Sequence, residues 1–576
     1  MSKLRSTLPY IAVFVALLLP RIFELDKFMA TDEVAWFFRS ANFYYALGQR
    51  DFAGTYFGYS IAVFTMWLNT LAFLLKFPAY RGLGQGYLNI FDREWDRIFI
   101  ENKISELSVL VTGRLFMVIA LVILGVILFW YLKRLLGTGA AFICILFVAL
   151  DPFYIALSRT AHLDAPMGTF LVLSILAYHT YLQLDRKWID LILSGVAGGF
   201  SFLSKLPGMV VIPGVILTSA LYWVILIKNK AFQNLNAYRH ELWIHFRAVI
   251  IWFLIFLLVI FIFWPAMWNQ PFQTLKNTSA LLFTDVDGST DVSQIVTFQG
   301  GESDLSIGLI DNINGVVERF YLYLTNDFLW RTSPVVLFGL FWLIPGYWLK
   351  WDMLRNETAR SLVRLFFCLA LFFTLLVSIS DLQSAKYIAP VFIVADIAAG
   401  LGWVAAIVAL SQKIAAPRRA FFTYVCLVLV LLIQSFLVWD HYPYYFTYYN
   451  PLLGGSQRAG ELKFVGVGEG LDQAAAYLNQ LPDADHLHAL AWYGKGPFSF
   501  YFKGKTSTIS TDNNWEGNLD ERLREADYLV TYTNQWHRRF PPELFDLLDQ
   551  VEPVHRVWME GIEYARIYKV SDIPLD

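Results

Sequence analysis

Residues 107–131 read LSVLVTGRLFMVIALVILGVILFWY, an apolar run whose one charge is Arg114. A helix needs about 20 mostly apolar residues to cross the hydrocarbon of a bilayer, where no water can satisfy a bare peptide group. This stretch is read as a membrane span. Runs of the same character lie at 8–23, 138–157, 163–184, 189–204, 206–227, 246–265, 333–349, 361–379, 387–410 and 419–438. The fold expected is a polytopic α-helical membrane protein with about eleven spans.

Composition agrees. Of the 576 residues 57% are hydrophobic and 16% charged, against roughly 45–50% and about 25% in an ordinary soluble domain. That excess is too large for one protein core, and the mean hydropathy is +0.49. With 45 Lys and Arg against 47 Asp and Glu, the net charge of −2 leaves no footprint for nucleic acid. Cys144, Cys368 and Cys426 all lie in apolar runs and match neither a disulfide framework nor a zinc spacing.

Orientation follows from where Lys and Arg collect. With Lys3 and Arg5 cytoplasmic, the alternate loops carry Lys133-Arg134, Arg186-Lys187, Lys228 to Arg247, Lys350 to Arg364 and Lys413 to Arg419. The long loop 266–332 on the opposite side holds eight acids against Lys276, Arg319 and Arg331. The first run lacks a small-residue cleavage site before Pro20-Arg21 and is read as a retained anchor. Residues 61–75, interrupted by Asn69, would invert every later loop if they crossed, so they are read as an interfacial or re-entrant helix. The C-terminus is then extracytoplasmic, and the expected location is the bacterial plasma membrane.

The composition changes near residue 441. Amphipathic runs such as 469–480 (EGLDQAAAYLNQ) alternate with short apolar strands at 486–492 (HLHALAW) and 527–533 (DYLVTYT). Two domains are expected: a transmembrane catalytic domain over 1–440, with outer loops 24–106 and 266–332, and a soluble α/β domain over 441–576.

Polar residues at the outer ends of spans carry the chemistry, because an ionisable group at membrane depth is costly. Asp32 and Glu33, in MATDEVAWFF, follow the first span. Adjacent carboxylates point in different directions, so at most one of the two is expected to be the reacting group, the other binding a cation or ordering a neighbouring loop. Dehydration near the bilayer would raise its pKa and suit general-base work. The next outer loop reads DPFYIALSRTAHLDAP, with Asp151, Arg159, His162 and Asp164 between two apolar spans. On a continuing helix Arg159 and His162 share a face. Such a cluster can bind phosphate through Arg, with His and Asp orienting an acceptor or a metal. Lys205 in FLSKLPG, Lys386 and Tyr387 in SAKYIAP, and Arg331 in LWRTSP break the basic-inside pattern at the same face. Together they suit an anionic lipid headgroup such as a phosphate or pyrophosphate. There is no phosphate loop, HExxH or GxSxG. Mid-span charge is nearly absent, Asp396 being the main exception.

Over roughly 1–440 the chain resembles the GT-C superfamily of membrane glycosyltransferases, close to the protein O-mannosyltransferases and lipid A aminoarabinose transferases. The resemblance rests on TDE after span one, GRLF at Arg114, SRTAHLDAP after span three, GGFSFLSKLPG, FWPAMW at 263–268 and KYIAP before span ten. YYNPLLGGSQRAG followed by VGVGEGLDQAAAYLN is similar to a bacterial subgroup with an added extracytoplasmic domain. What the resemblance implies is an inverting transfer of a sugar from a polyprenyl-phosphate donor to an acceptor hydroxyl on protein, lipid or glycan. It implies Asp32 as catalytic base with Glu33 its acidic neighbour, and Arg159, His162 and Asp164 as a second-loop cluster facing the cavity. Lys205, Lys386 and Tyr387 are implied near the donor phosphate, with Arg114 and Arg331 counted among its cations. One departure stands out: where relatives often carry a His-Pro-Pro or His-Pro-Gly turn, this chain reads Ser60-Ile61-Ala62. Carboxylates and a histidine on one face could also hold a divalent metal, although no ligand set is spelled out. The alternatives of another class are a lipid-linked sugar transporter or flippase and a non-catalytic envelope assembly scaffold.

Overall fold

Ser105 accepts a hydrogen bond from the backbone of Ser108 and starts the helix Glu106–Leu136, whose interior carries the apolar run quoted above. Gly137 ends it at φ +82, a conformation that suits glycine, and the chain turns back as Thr138–Ala149. The computed structural model describes residues 2–58, 60–228, 235–280, 309–380, 383–509 and 519–575. The acidic part of the long loop, 281–308, and residues 229–234 of one basic loop lie outside the described residues.

Among the described residues seven helices are long and apolar enough to cross a membrane: Glu106–Leu136, Asp164–Gln183, Leu206–Lys228, Leu235–Phe263, Glu357–Val377, Ala385–Ser411 and Ala416–Asp440. Two bent pairs raise the number to nine. Thr138–Ala149 meets Pro152–Ser158 at 68°, and Asn314–Arg331 meets Pro334–Trp348 at 119°. The other two expected spans, 8–23 and 189–204, are the shorter apolar helices Ser6–Ile22 and Trp188–Ser204. The first bend has a local cause. Asp151 caps a new helix through the Tyr154 N–H at 2.5 Å, and Pro152 at its first position has no N–H with which to continue the old one.

Helices Asp164–Gln183 and Ala385–Ser411 form the centre, being 100% and 89% buried over their apolar windows, whereas Ala416–Asp440 at 17% is peripheral. Close approach at the centre needs small residues: a side chain on Gly402 would begin 2.0 Å from the Gly339 carbonyl oxygen. Residues 61–75 form the helix Val63–Lys76, of 14 residues and so about 21 Å long, shorter than a hydrocarbon core of ~30 Å. Its buried Asn69 donates to Ser40 Oγ at 3.0 Å on the helix Thr31–Gln49.

The tail folds around a five-stranded sheet of order β2-β1-β3-β5-β4, with β1 His488–Trp492, β2 Lys505–Ile509, β3 Tyr528–Tyr532, β4 His555–Met559 and β5 Ile562–Lys569. Strands β1, β2 and β3 run parallel, while β5 is antiparallel to both β3 and β4. β1 is buried at all five residues, as a central parallel strand requires. Helices such as Leu471–Leu478 and Pro542–Leu548 pack their apolar faces against it. The segment joining tail to helices is tied down by polar contacts. Arg331 donates to the carbonyls of Phe446 and Tyr448 at 2.7 Å each, and Asn450 bonds the backbone of Leu329 and Trp330.

Candidate active site

The helix Thr31–Gln49 opens with two carboxylates that the structure sends to opposite environments. Glu33 has no exposed side-chain surface. It turns back to accept from Ala30 N at 2.9 Å and from Ala161 N at 2.7 Å, and it receives both Nε and a terminal nitrogen of Arg114. Arg114 spends its remaining donors on the carbonyls of Leu25, Lys27 and Phe28. The pair therefore fastens the loop before the helix to the Glu106–Leu136 span, in the bidentate geometry that suits a guanidinium. Asp32, one residue earlier, stays 29% exposed.

Around Asp32 four segments converge. Its Oδ2 pairs with Lys386 Nζ, from the short turn Ala385–Ile388, and lies 3.0 Å from His162 Nε2. On the other side of the imidazole, Nδ1 is 2.9 Å from Asp164 Oδ2, and Asp164 Oδ1 accepts from Lys205 Nζ at 2.7 Å. The result is a row, Lys386–Asp32–His162–Asp164–Lys205, with an ammonium at each end. Asp164 and His162 are almost wholly buried, while Lys205, Lys386 and Asp32 keep partial exposure. Tyr387 closes one side: its ring centre is 4.3 Å from Lys205 Nζ and 5.6 Å from Lys386 Nζ. The open members of the row are thus one carboxylate and two cations.

The electrostatics correct one expectation from the sequence. Burial alone would push the Asp32 carboxyl up, but the Lys386 ammonium and the His162 ring outweigh it and hold the carboxyl well below its usual range. His162 moves the other way. Burial disfavours its charged form, yet the carboxylates of Asp164 and Asp32 on its two faces raise it above the ordinary 6.5. Burial lowers Lys205 against the pull of Asp164.

Three expected site arginines lie elsewhere, each for the same reason: a guanidinium withdrawn from water, wholly or in part, is drawn to the carbonyls that can satisfy its five donors. Arg114, expected beside the donor phosphate, is enclosed by Glu33 and the 25–28 carbonyls. Arg331, expected there too, binds the 446–449 segment and lies against the Tyr449 ring, 3.9 Å from its centre. Arg159 does not share a helix face with His162, because the helix Pro152–Ser158 ends just before it. It reaches the carbonyls of Phe23, Glu24 and Pro443 instead. Glu33 is likewise withdrawn from the row into its pairing with Arg114. Asp151 caps its helix and stands apart from the row. FWPAMW serves packing, with Trp264 stacked on Tyr56 and Trp268 edge-on to Phe52.

The tail contributes neighbours that reading by segments missed. Val467 O accepts from Thr31 N at 2.8 Å, beside Asp32, and the phenol of Tyr493 is close enough to feel the Asp32 charge. The alternating glycines of VGVGEG were the available signal. Among the described residues no group of three or more His, Cys, Asp and Glu side chains is arranged to hold a metal ion.

Among solved structures the chain is similar to ArnT from Cupriavidus metallidurans in the apo state, at 11% identity and a TM-score of 0.42, with 100% of each chain covered. It is similar to the same protein bound to undecaprenyl phosphate, at 11% identity and TM-score 0.44 over 100% of each chain. A third is the archaeal oligosaccharyltransferase AglB from Archaeoglobus fulgidus in complex with an inhibitory peptide and a dolichol-phosphate. There the identity is 12% and the TM-score 0.49, covering 100% of this chain and 75% of that one. No protein of curated function matches the chain. Residues 102–268, which supply Arg114, Arg159, His162, Asp164 and Lys205, match the model of the dolichyl-phosphate-mannose-protein mannosyltransferase family.

Proposed function

We propose that the protein is an integral-membrane inverting glycosyltransferase that moves a sugar from a polyprenyl-phosphate donor to an acceptor hydroxyl on the extracytoplasmic side. The observation that carries this reading is a partly exposed Asp32 set between Lys386 and His162, with Lys205 and Tyr387 alongside. The family matched by residues 102–268 is named for a dolichyl-phosphate-mannose donor, which supports a lipid-phosphate sugar. Residues 1–440 hold the row, and 441–576 form the extracytoplasmic domain packed over it.

In this reading Lys205 and Lys386 receive the donor phosphate. The acceptor oxygen attacks the anomeric carbon from the face opposite the phosphate. A carbon–oxygen bond forms, and the carbon–oxygen bond to phosphate breaks with its electron pair. The lipid phosphate leaves already charged and needs no proton; fixed cations stabilise it. The proton of the acceptor hydroxyl passes to Asp32, whose low pKa keeps it ionised and free to accept. The donor phosphate competes with Asp32 for the Lys386 ammonium, so donor binding strengthens the base at the moment it is needed. His162 and Asp164 hold Asp32 from behind.

The test is release of free polyprenyl phosphate from polyprenyl-phosphate-mannose by purified protein in proteoliposomes, with glycan, lipid and protein fractions offered as acceptors. Wild-type protein should release it and Asp32→Asn should not, while both bind the donor. Release by Asp32→Asn at the wild-type rate would remove Asp32 as base. Movement of donor across the bilayer with no release would favour a flippase.

A further inference from the structure

The first turn of the Thr31–Gln49 helix has an incomplete cap. Its N-cap is Ala30, whose side chain holds no oxygen, and only the Glu33 carboxylate reaches back to the Ala30 N–H. The N–H of Thr31 is one of the orphan donors of a helix start. It is satisfied from far away in sequence, by the carbonyl of Val467 at 2.8 Å.

That carbonyl belongs to a loop with little freedom. Gly466, Gly468 and Gly470 all take positive φ, at +95, +122 and +85. At Gly468 a side chain would begin 2.2 Å from the Met29 carbonyl oxygen, so the loop lies directly on the backbone leading into the helix. From the other side the loop is held by the end of β3. Tyr532 Oη accepts from Gly468 N at 2.9 Å and lies 3.2 Å from the Glu469 carboxylate, which itself accepts from Val467 N at 2.6 Å. Tyr532 and Glu469 are buried. A second turn of the tail reaches the same helix: a side chain on Gly496 would begin 2.6 Å from Val34. A continuous path of hydrogen bonds thus runs from the sheet, through Tyr532, Glu469 and Val467, to the residue before Asp32.

We propose that the glycine-interrupted loop 466–470 is a positioning element for Asp32, and that Gly468 and Tyr532 are the residues through which the C-terminal sheet sets that carboxylate against His162. The proposal rests on Asp32 being the reacting group, but it concerns where the carboxylate is held, and it can be read without any sugar transfer. Three segments face the imidazole with charge: Asp32 from the Thr31–Gln49 helix, Asp164 from Asp164–Gln183 with Lys205 behind it, and Lys386 from the 385–388 turn. Of these, Asp32 follows directly on the residue whose N–H the tail loop accepts. If the helix start shifts, His162 loses one of its two carboxylate neighbours.

The experiment is an NMR titration of the histidine rings in the full-length protein in nanodiscs, with His162 identified by its loss in His162→Gln. Gly468→Ala and Tyr532→Phe should each lower the His162 midpoint by about one pH unit, the shift expected when one near carboxylate is removed. Leu548→Ala, in the apolar core of the same domain and with no part in the hydrogen bonds that hold the loop, should lower the melting temperature and leave the midpoint in place. Should Gly468→Ala fail to fold, Tyr532→Phe against Leu548→Ala decides the matter alone. A wild-type midpoint in Tyr532→Phe, or an equal shift in Leu548→Ala, overturns the proposal. Retained transfer by Asp32→Asn would instead strike at the assignment of the base, leaving the His162 shift to be read as before.

Discussion

Asp32 and Lys386 are paired although 354 positions separate them in the chain. The pairing joins the second helix of the protein to the start of the span Ala385–Ser411. It also sets the charge state of the one carboxylate in the row that reaches the open face.

Replacing that ammonium with an uncharged chain of similar length tests its two roles together. Lys386→Met should reduce kcat/KM for the lipid-phosphate donor by about 10²-fold or more, the loss typical of removing one charge-stabilising group from a transition state. Lys386→Arg should recover part of it. Steady-state release of polyprenyl phosphate measures the effect, and wild-type kinetics in the Met variant would rule out a role for Lys386.

The shifts at Asp32 and His162 make stability depend on pH in opposite senses. His162 is raised on folding, so its contribution is complete below about 6.5 and is lost as pH rises through the higher folded value. Asp32 is lowered, so its contribution is complete above its ordinary value and is lost as pH falls through the folded one. The melting temperature of the wild type should therefore decline on the alkaline side, starting near pH 6.5. In His162→Gln that alkaline decline should flatten, while the acid limb is retained. Melting curves between pH 4 and pH 9 would show an unchanged alkaline limb if His162 were not the group responsible.

Glu33 and Arg114 form a buried, bidentate pair at the root of the site. Removing one charge leaves the other stranded in a low dielectric, at a cost of about 3–5 kcal/mol. Glu33→Gln should lower the melting temperature and the yield of folded protein, yet leave donor KM in the folded fraction close to wild type. A Glu33→Gln protein of full stability and no activity would return Glu33 to the chemistry.

Much of this was legible in the order of residues. Apolar runs of the length of a bilayer announced the helices, and 486–492 and 527–533 announced two of the strands. Asp32, His162, Asp164, Lys205 and Lys386 all stood out because charge at the ends of apolar runs is expensive and so rare. What could not be read was which charges face one another. Arg114, Arg159 and Arg331 carry the same signal as Lys205 and Lys386, but they are consumed by backbone carbonyls that come from distant segments. The apolar run 138–157 also reads as one straight span although the chain bends by 68° at Asp151-Pro152.

By itself the sequence determined that the protein lives in a membrane, which runs form its apolar helices, and which few ionisable groups sit at their ends, because these are consequences of local hydrophobicity and solvation. Only the tertiary structure decided that Asp32 is held between Lys386 and His162 while its neighbour Glu33 is locked to Arg114. Only there does the glycine loop of the tail meet the helix that carries Asp32. Those pairings join residues hundreds of positions apart, and their energies depend on burial and distance, quantities that exist only once the helices have packed.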